Sequence, residues 1–171
     1  MQNKLILIIL LILLFTGCGT VSETTRTNCI NEKMKDVTLR WGGHNYKTNC
    51  LSGWQIDGEL NFYSFVKDSL NLSYKTKLIG TVDTNKFCEL LGTARKLFVE
   101  VQALYAPGDS SHFVEYIQSS TNTNLRAVWN MRFKTYGSTE FRDLFDSLNA
   151  MSKYEKYIYP KEGNKPGNSI K

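Results

Sequence analysis

Hydrophobic spacing changes several times along this chain, and each change marks an element. Leu5 to Phe15 is an unbroken apolar run, LILIILLILLF. Val37, Leu39 and Trp41 alternate with polar neighbours, which predicts a short strand that Gly42-Gly43 then breaks. Trp54 to Phe62 alternates on either side of Asp57-Gly58, the signature of a hairpin with a two-residue type I′ turn. Lys67-Asp68-Ser69 suits a turn. Leu70, Leu72 and Tyr74 alternate again, and that strand is expected to reach Ile79.

A helical period follows. Asp83 or Thr84 can cap it, and Phe87, Leu90, Leu91, Ala94, Leu97, Phe98, Val101, Leu104 and Tyr105 form one stripe that Pro107-Gly108 ends. His112 to Ser119 reads as a strand and the segment from Ser120 to Asn124 as a polar turn. Leu125, Ala127, Trp129, Met131, Phe133 and Thr135 then predict a long half-buried strand. Ser138 can cap a second helix, with Glu140 in its first turn and Phe141, Leu144, Phe145, Leu148 and Met151 on its buried face. Pro160 disfavours helix at Tyr159. The expected order is β-β-β-α-β-β-α: an α+β fold in which two amphipathic helices cover one face of an antiparallel sheet.

The first apolar run is shorter than the ~20 residues a membrane-spanning helix needs. It matches the apolar core of an export signal of ~7–15 residues. Phe15-Thr16-Gly17-Cys18 follows it, and this step resembles the lipobox of bacterial lipoproteins, with Phe15 where Leu is usual. The resemblance covers residues 1–18 only. It implies removal of residues 1–17 and lipidation of Cys18, since two or more acyl chains anchor durably where one is marginal. Gly19, where Asp would favour inner-membrane retention, implies the outer membrane of a two-membrane cell. Residues 18–35 then form the lipidated Cys and a polar tether, 36–159 a single domain, and 160–171 a disordered basic tail.

The 171 residues carry 21 Lys and Arg against 16 Asp and Glu, with 42% hydrophobic and 22% charged residues. That composition is ordinary for one globular domain. Five Lys and two Glu lie between Lys153 and Lys171, so the basic balance belongs to the tail. This argues against a nucleic-acid partner, which needs basic residues clustered on a folded face. With Cys18 lipidated, Cys29, Cys50 and Cys88 remain, and three thiols allow three pairings. Cys29–Cys50 is the expected disulfide, because both lie in the irregular N-terminal third, and Cys88 would then be free. No spacing is CxxC, and no metal or cofactor is expected.

Cys88, near a helix start where the dipole lowers thiol pKa, could form a nucleophile pair with His112 or His44. The plainer reading is a half-buried thiol and two surface imidazoles. Asp57 and Glu59 suit turn preference, and Asp143 and Asp146 suit a solvated helix side. GxSxG, HExxH, P-loop and GxGxxG signatures are absent. No catalytic residue is assigned. Trp41, Trp54, Tyr154, Tyr157 and Tyr159 are candidates for a binding surface, with packing as the alternative. The sequence therefore points to an envelope lipoprotein whose domain binds a protein or cell-wall component without catalysis. A periplasmic inhibitor or immunity-type lipoprotein, or a thiol/His enzyme using Cys88 and His112, are the alternatives.

Overall fold

A computed structural model describes residue 29 and residues 34–70, 73–102, 104–153 and 158–159. The expected leader and lipidation site Cys18, Tyr154, Tyr157 and the expected tail 160–171 lie outside the described residues, as does the side chain of Tyr159.

The fold is mixed α+β. Eight strands form one sheet: β1 (Val37–Asn45), β2 (Cys50–Asp57), β3 (Asn61–Lys67), β4 (Lys75–Val82), β5 (Tyr105–Ala106), β6 (Ser110–Gln118), β7 (Thr123–Asn130) and β8 (Ile158–Tyr159). Helix α1 (Thr84–Glu100) follows β4, and α2 (Ser138–Lys153) follows β7. The spatial order is β5-β7-β6-β1-β2-β3-β4-β8, antiparallel except for the β5–β7 pair. Four strands precede α1 where three were expected, and the two-residue strands β5 and β8 lie at the sheet edges.

Alternation along the strands decides what is buried. Val37, Leu39 and Trp41 of β1, Ile56 of β2, Phe62 of β3, Val114 and Tyr116 of β6 and Trp129 of β7 join the buried residues of both helices in one cluster. The indole of Trp41 is fully buried and donates to Asn149 Oδ1 on α2 at 3.2 Å. Trp54 stacks on Phe62 with ring centroids 5.2 Å apart. Both tryptophans are therefore packing residues, not the exposed binding surface considered above. Leu51, Phe65, Phe113 and Val128 form a second, smaller cluster. Beside it Arg40 donates to Glu115 Oε2 at 3.0 Å and lies over the Tyr74 ring at 4.2 Å.

The helices follow their stripes. Asp83 caps α1 by accepting from Lys86 N–H, and Phe87, Leu90, Leu91, Ala94, Leu97 and Phe98 are buried. Helix α1 stops at Glu100 rather than near Pro107. Gln102 adopts φ +60°, and the chain turns into β5, where Tyr105 is exposed instead of extending the stripe. On α2 the expected face, Phe141, Leu144, Phe145, Leu148 and Met151, is buried.

Three strand expectations are corrected. Gly42-Gly43 does not break β1, because Gly42 faces Gly53 across the β1–β2 pair. A Cβ on either would lie 2.1 Å from a carbonyl oxygen of the other strand, so these glycines permit close approach within a continuous strand. The hairpin turn is not a two-residue turn. Leu60, not Gly58, takes the positive φ, and Asp57 Oδ1 accepts from Glu59 N–H and Asn61 N–H. Gly58 is needed because a Cβ would meet the Met34 and Lys35 carbonyls at 2.4 and 2.3 Å. Leu70 is 92% exposed and lies outside β4, which starts five residues later.

The disulfide also differs from expectation. Cys29 bonds Cys88 in the first turns of α1, and Cys50 is free. Cys50 opens β2 beside the Asn45 end of β1, whereas Cys29 lies against α1. Cys29 packs against the main core and Met34 is buried in it, so the segment expected as a tether is fastened to the domain well before Asp36.

Candidate functional site

The C-terminal ends of β1 and β7 and the start of β6 meet at one end of the sheet. Asparagine side chains shape each exit. Asn45 Oδ1 accepts from the N–H groups of Lys47 and Thr48 at 3.0 and 3.2 Å. Asn130 Oδ1 accepts from Arg132 N–H at 2.8 Å and Phe133 N–H at 3.4 Å. Asparagine competes for backbone donors in this way and so ends regular structure. Strand β7 therefore stops at Asn130, five residues before the apolar alternation ends.

The consequence is a loop, residues 131–137, whose apolar side chains face outward. Met131, Phe133 and Tyr136 are 45%, 67% and 99% exposed. Arg142 of α2 holds the loop backbone, donating to the carbonyls of Asn130 at 2.5 Å, Phe133 at 2.7 Å and Met131 at 3.4 Å. Ser138 Oγ donates to Thr135 O at 2.7 Å and accepts from Thr135 N–H, closing the loop onto α2. Gly137 has φ +71°, and a Cβ there would meet Val101 at 2.7 Å.

A cleft of about 400 Å³ opens beside this loop. Asn45, Lys47, Asp109, Ser110, Arg132 and Phe133 line it, together with Gly108 and Asn130. Lys47 Nζ pairs with Asp109 at 2.9 Å, both side chains being exposed. Tyr46 N–H donates to Asp109 O and Met131 N–H to Ser110 O, stitching the three strand ends together. Gly108 packs against the Asn130 amide, and a Cβ there would lie 1.9 Å from Nδ2 and displace it. A shallower pocket of about 290 Å³ adjoins the cleft, shares Asn45 and Ser110, and is lined by His44, Cys50 and Met131.

The structure does not bring the candidate nucleophile pair together. Cys88 is in a disulfide, so it has no thiol to activate. His44 lies in β1. Gly43 is the cross-strand partner of His112, so His44, one residue on, projects from the opposite face. His112 stacks on Phe145 at 4.1 Å in the helix-side packing, where burial holds its imidazole below the usual 6.5, with Arg142 acting the same way and Asp146 opposing. Burial also lowers His44, against a hydrogen bond to Asn49 that raises it. Its ring lies 3.8 Å from Tyr46, whose phenol burial pushes up.

The carboxylates read as structural are so placed. Asp57 accepts from Asn61 Nδ2 and Tyr63 Oη as well as from the turn. Asp143 and Asp146 are exposed on α2. Among the described residues no three His, Cys, Asp or Glu side chains come close enough to share a metal ion. Sequence reasoning missed Arg132, Phe133, Asn130 and Arg142 because strand-like alternation continues to Thr135. The available signal was Asn130, a turn-former at the point of departure. Comparison with protein-family models and with curated proteins finds no match to this chain.

Proposed function

We propose that this chain is a membrane-tethered, non-catalytic binding domain of the cell envelope, anchored through lipidated Cys18 in the outer membrane. The apolar run ending at Thr16-Gly17-Cys18 supports the anchor. Among the described residues no helix is long and apolar enough to cross a membrane. In this reading both helices cover one face of the sheet. The shared cluster of helix and strand residues supports that arrangement.

One observation carries the binding assignment. Arg142 spends its guanidinium on three loop carbonyls, and the loop so held exposes Met131, Phe133 and Tyr136 beside a cleft. Large apolar side chains displayed on a fixed backbone are what a recognition surface requires, since little ordering entropy remains to be lost on contact. An envelope protein or a cell-wall component is the expected partner.

The test is capture from detergent-solubilised envelope by the full chain and by a Phe133→Ser/Tyr136→Ser variant. A stoichiometric partner retained by the first and lost by the second is expected. Equal recovery by both, or none by either, overturns the assignment. Recovery of a Cys18→Ser chain in the membrane fraction overturns the anchor.

A further inference from the structure

The cleft beside the 131–137 loop has a strong hydrogen-bonding bias. Most of its backbone acceptors are already in use. Gly108 O accepts from Ser111 Oγ, Asp109 O from Tyr46 N–H and Ser110 O from Met131 N–H. Arg142 takes the Asn130 and Phe133 carbonyls. The Oδ1 atoms of Asn45 and Asn130 are committed to backbone N–H groups, which fixes each amide so that its NH₂ is the group left over. The Asp109 carboxylate pairs with Lys47 through one oxygen, which leaves its other oxygen as the cleft's free anionic acceptor.

Apart from that oxygen, what remains unused is mostly donor. The Arg132 guanidinium has no hydrogen-bond or ion-pair partner among the described residues, while its own backbone N–H is bound by Asn130. The Asn45 NH₂ and the Ser110 hydroxyl are likewise without partners among the described residues. Lys47, Asp109 and Arg132 together leave one net positive charge. Phe133, two-thirds exposed, stands at the rim as an apolar platform.

We infer that this cleft binds a small acidic ligand, whose carboxylate or phosphate meets Arg132 and the Asn45 amide while a flat apolar body lies on Phe133. A guanidinium pairs with either oxyanion in a two-pronged geometry, and a fork free of protein acceptors gives up only water to do so. The cleft's 400 Å³ falls within the ~300–1,000 Å³ of small-molecule sites. The inference deepens the binding assignment by naming the ligand chemistry of the same end of the sheet, and it rests on that assignment.

The test is ligand-observed saturation-transfer NMR on the full chain in nonionic detergent. The probes are benzoate, phenyl phosphate, benzamide and acetate. Saturable binding of benzoate or phenyl phosphate is expected, and the stronger of the two identifies the oxyanion. Benzamide, which keeps the ring but lacks the charge, should bind about tenfold more weakly, as should the better anion to Arg132→Gln. Phe133→Ala should weaken the aromatic anion about fivefold and leave acetate unchanged. Both positions are exposed, so unchanged melting keeps the comparison valid. Benzamide binding as tightly as benzoate, an unaffected Arg132→Gln, or no saturable binding of either anion overturns the inference. Loop-dependent partner capture without anion binding sinks this inference alone. Anion binding without partner capture sustains it while sinking the macromolecular reading.

Discussion

Replacing Arg142 by Met keeps most of the stem and removes the fork that holds residues 130–133. Two of its bonds are short, 2.5 Å to Asn130 O and 2.7 Å to Phe133 O, and the third, at 3.4 Å, is too long to contribute much. Hydrogen bonds from a charged donor contribute about 1.5–3 kcal/mol each, and the exposed setting at Phe133 argues for the low end. Against that gain, Arg142 Nε is buried without a partner, which offsets part of it. The net expectation is a loss of about 2 kcal/mol, or a melting temperature lower by roughly 6–8 °C for a domain of this size. Urea denaturation with fixed m-value measures the first quantity. Hydrogen exchange supplies the local readout. The Arg132 amide, which donates to Asn130 Oδ1, should exchange faster by more than the global loss explains. Arg142→Lys should fall between, because an ammonium cannot span two carbonyls in a fixed plane. A Met variant within about 0.5 kcal/mol of the parent, with unchanged exchange at Arg132, would refute the reasoning and leave Asn130 and Ser138 as the holders of the loop.

Three further outcomes are expected. Non-reducing peptide mapping should join Cys29 to Cys88, and a Cys29→Ser/Cys88→Ser variant should lose about 4 kcal/mol, the chain-entropy value for a crosslink spanning 59 residues; recovery of a Cys29–Cys50 peptide would contradict the fold. Gly42→Ala, whose Cβ would fall 2.1 Å from Ser52 O, should cost about 3 kcal/mol, while Gly43→Ala, with 3.9 Å to its nearest neighbour, should be tolerated; similar effects at both sites would show that close approach is not the reason for Gly42. His112 is held below its ordinary 6.5 by burial, so the unfolded chain binds the proton more readily. Stability is therefore fully present above about pH 6.5 and is lost as pH falls below it. His112→Gln should flatten the profile between about pH 7.5 and 5.5, and an unchanged slope there would remove the imidazole as its source.

The elements with the strongest period were legible from residues alone. The apolar stripe of Phe87, Leu90, Leu91, Ala94, Leu97 and Phe98 can be satisfied only by a helix against a core. Phe141 to Met151 says the same of α2. Local constraints sufficed because helical contacts are made within a few residues of each other. Where two segments distant in sequence determine one position, the residues were silent. Gly42 and Gly43 look like a break until Gly53 is placed opposite the first of them. Cys29 finds Cys88, 59 residues on, rather than the nearer Cys50, a pairing that sequence separation does not reveal.

The same division separates the candidate site from the rest. Met131 and Phe133 continue the alternation of Leu125, Ala127 and Trp129, so pattern alone buries them. Asn130 competes for the backbone there, and Arg142, twelve residues on, fixes the result. Sequence period determined which residues are apolar enough to be buried and which elements they build. Tertiary structure alone decided which of them stay exposed, because exposure depends on hydrogen bonds between elements that no local period encodes.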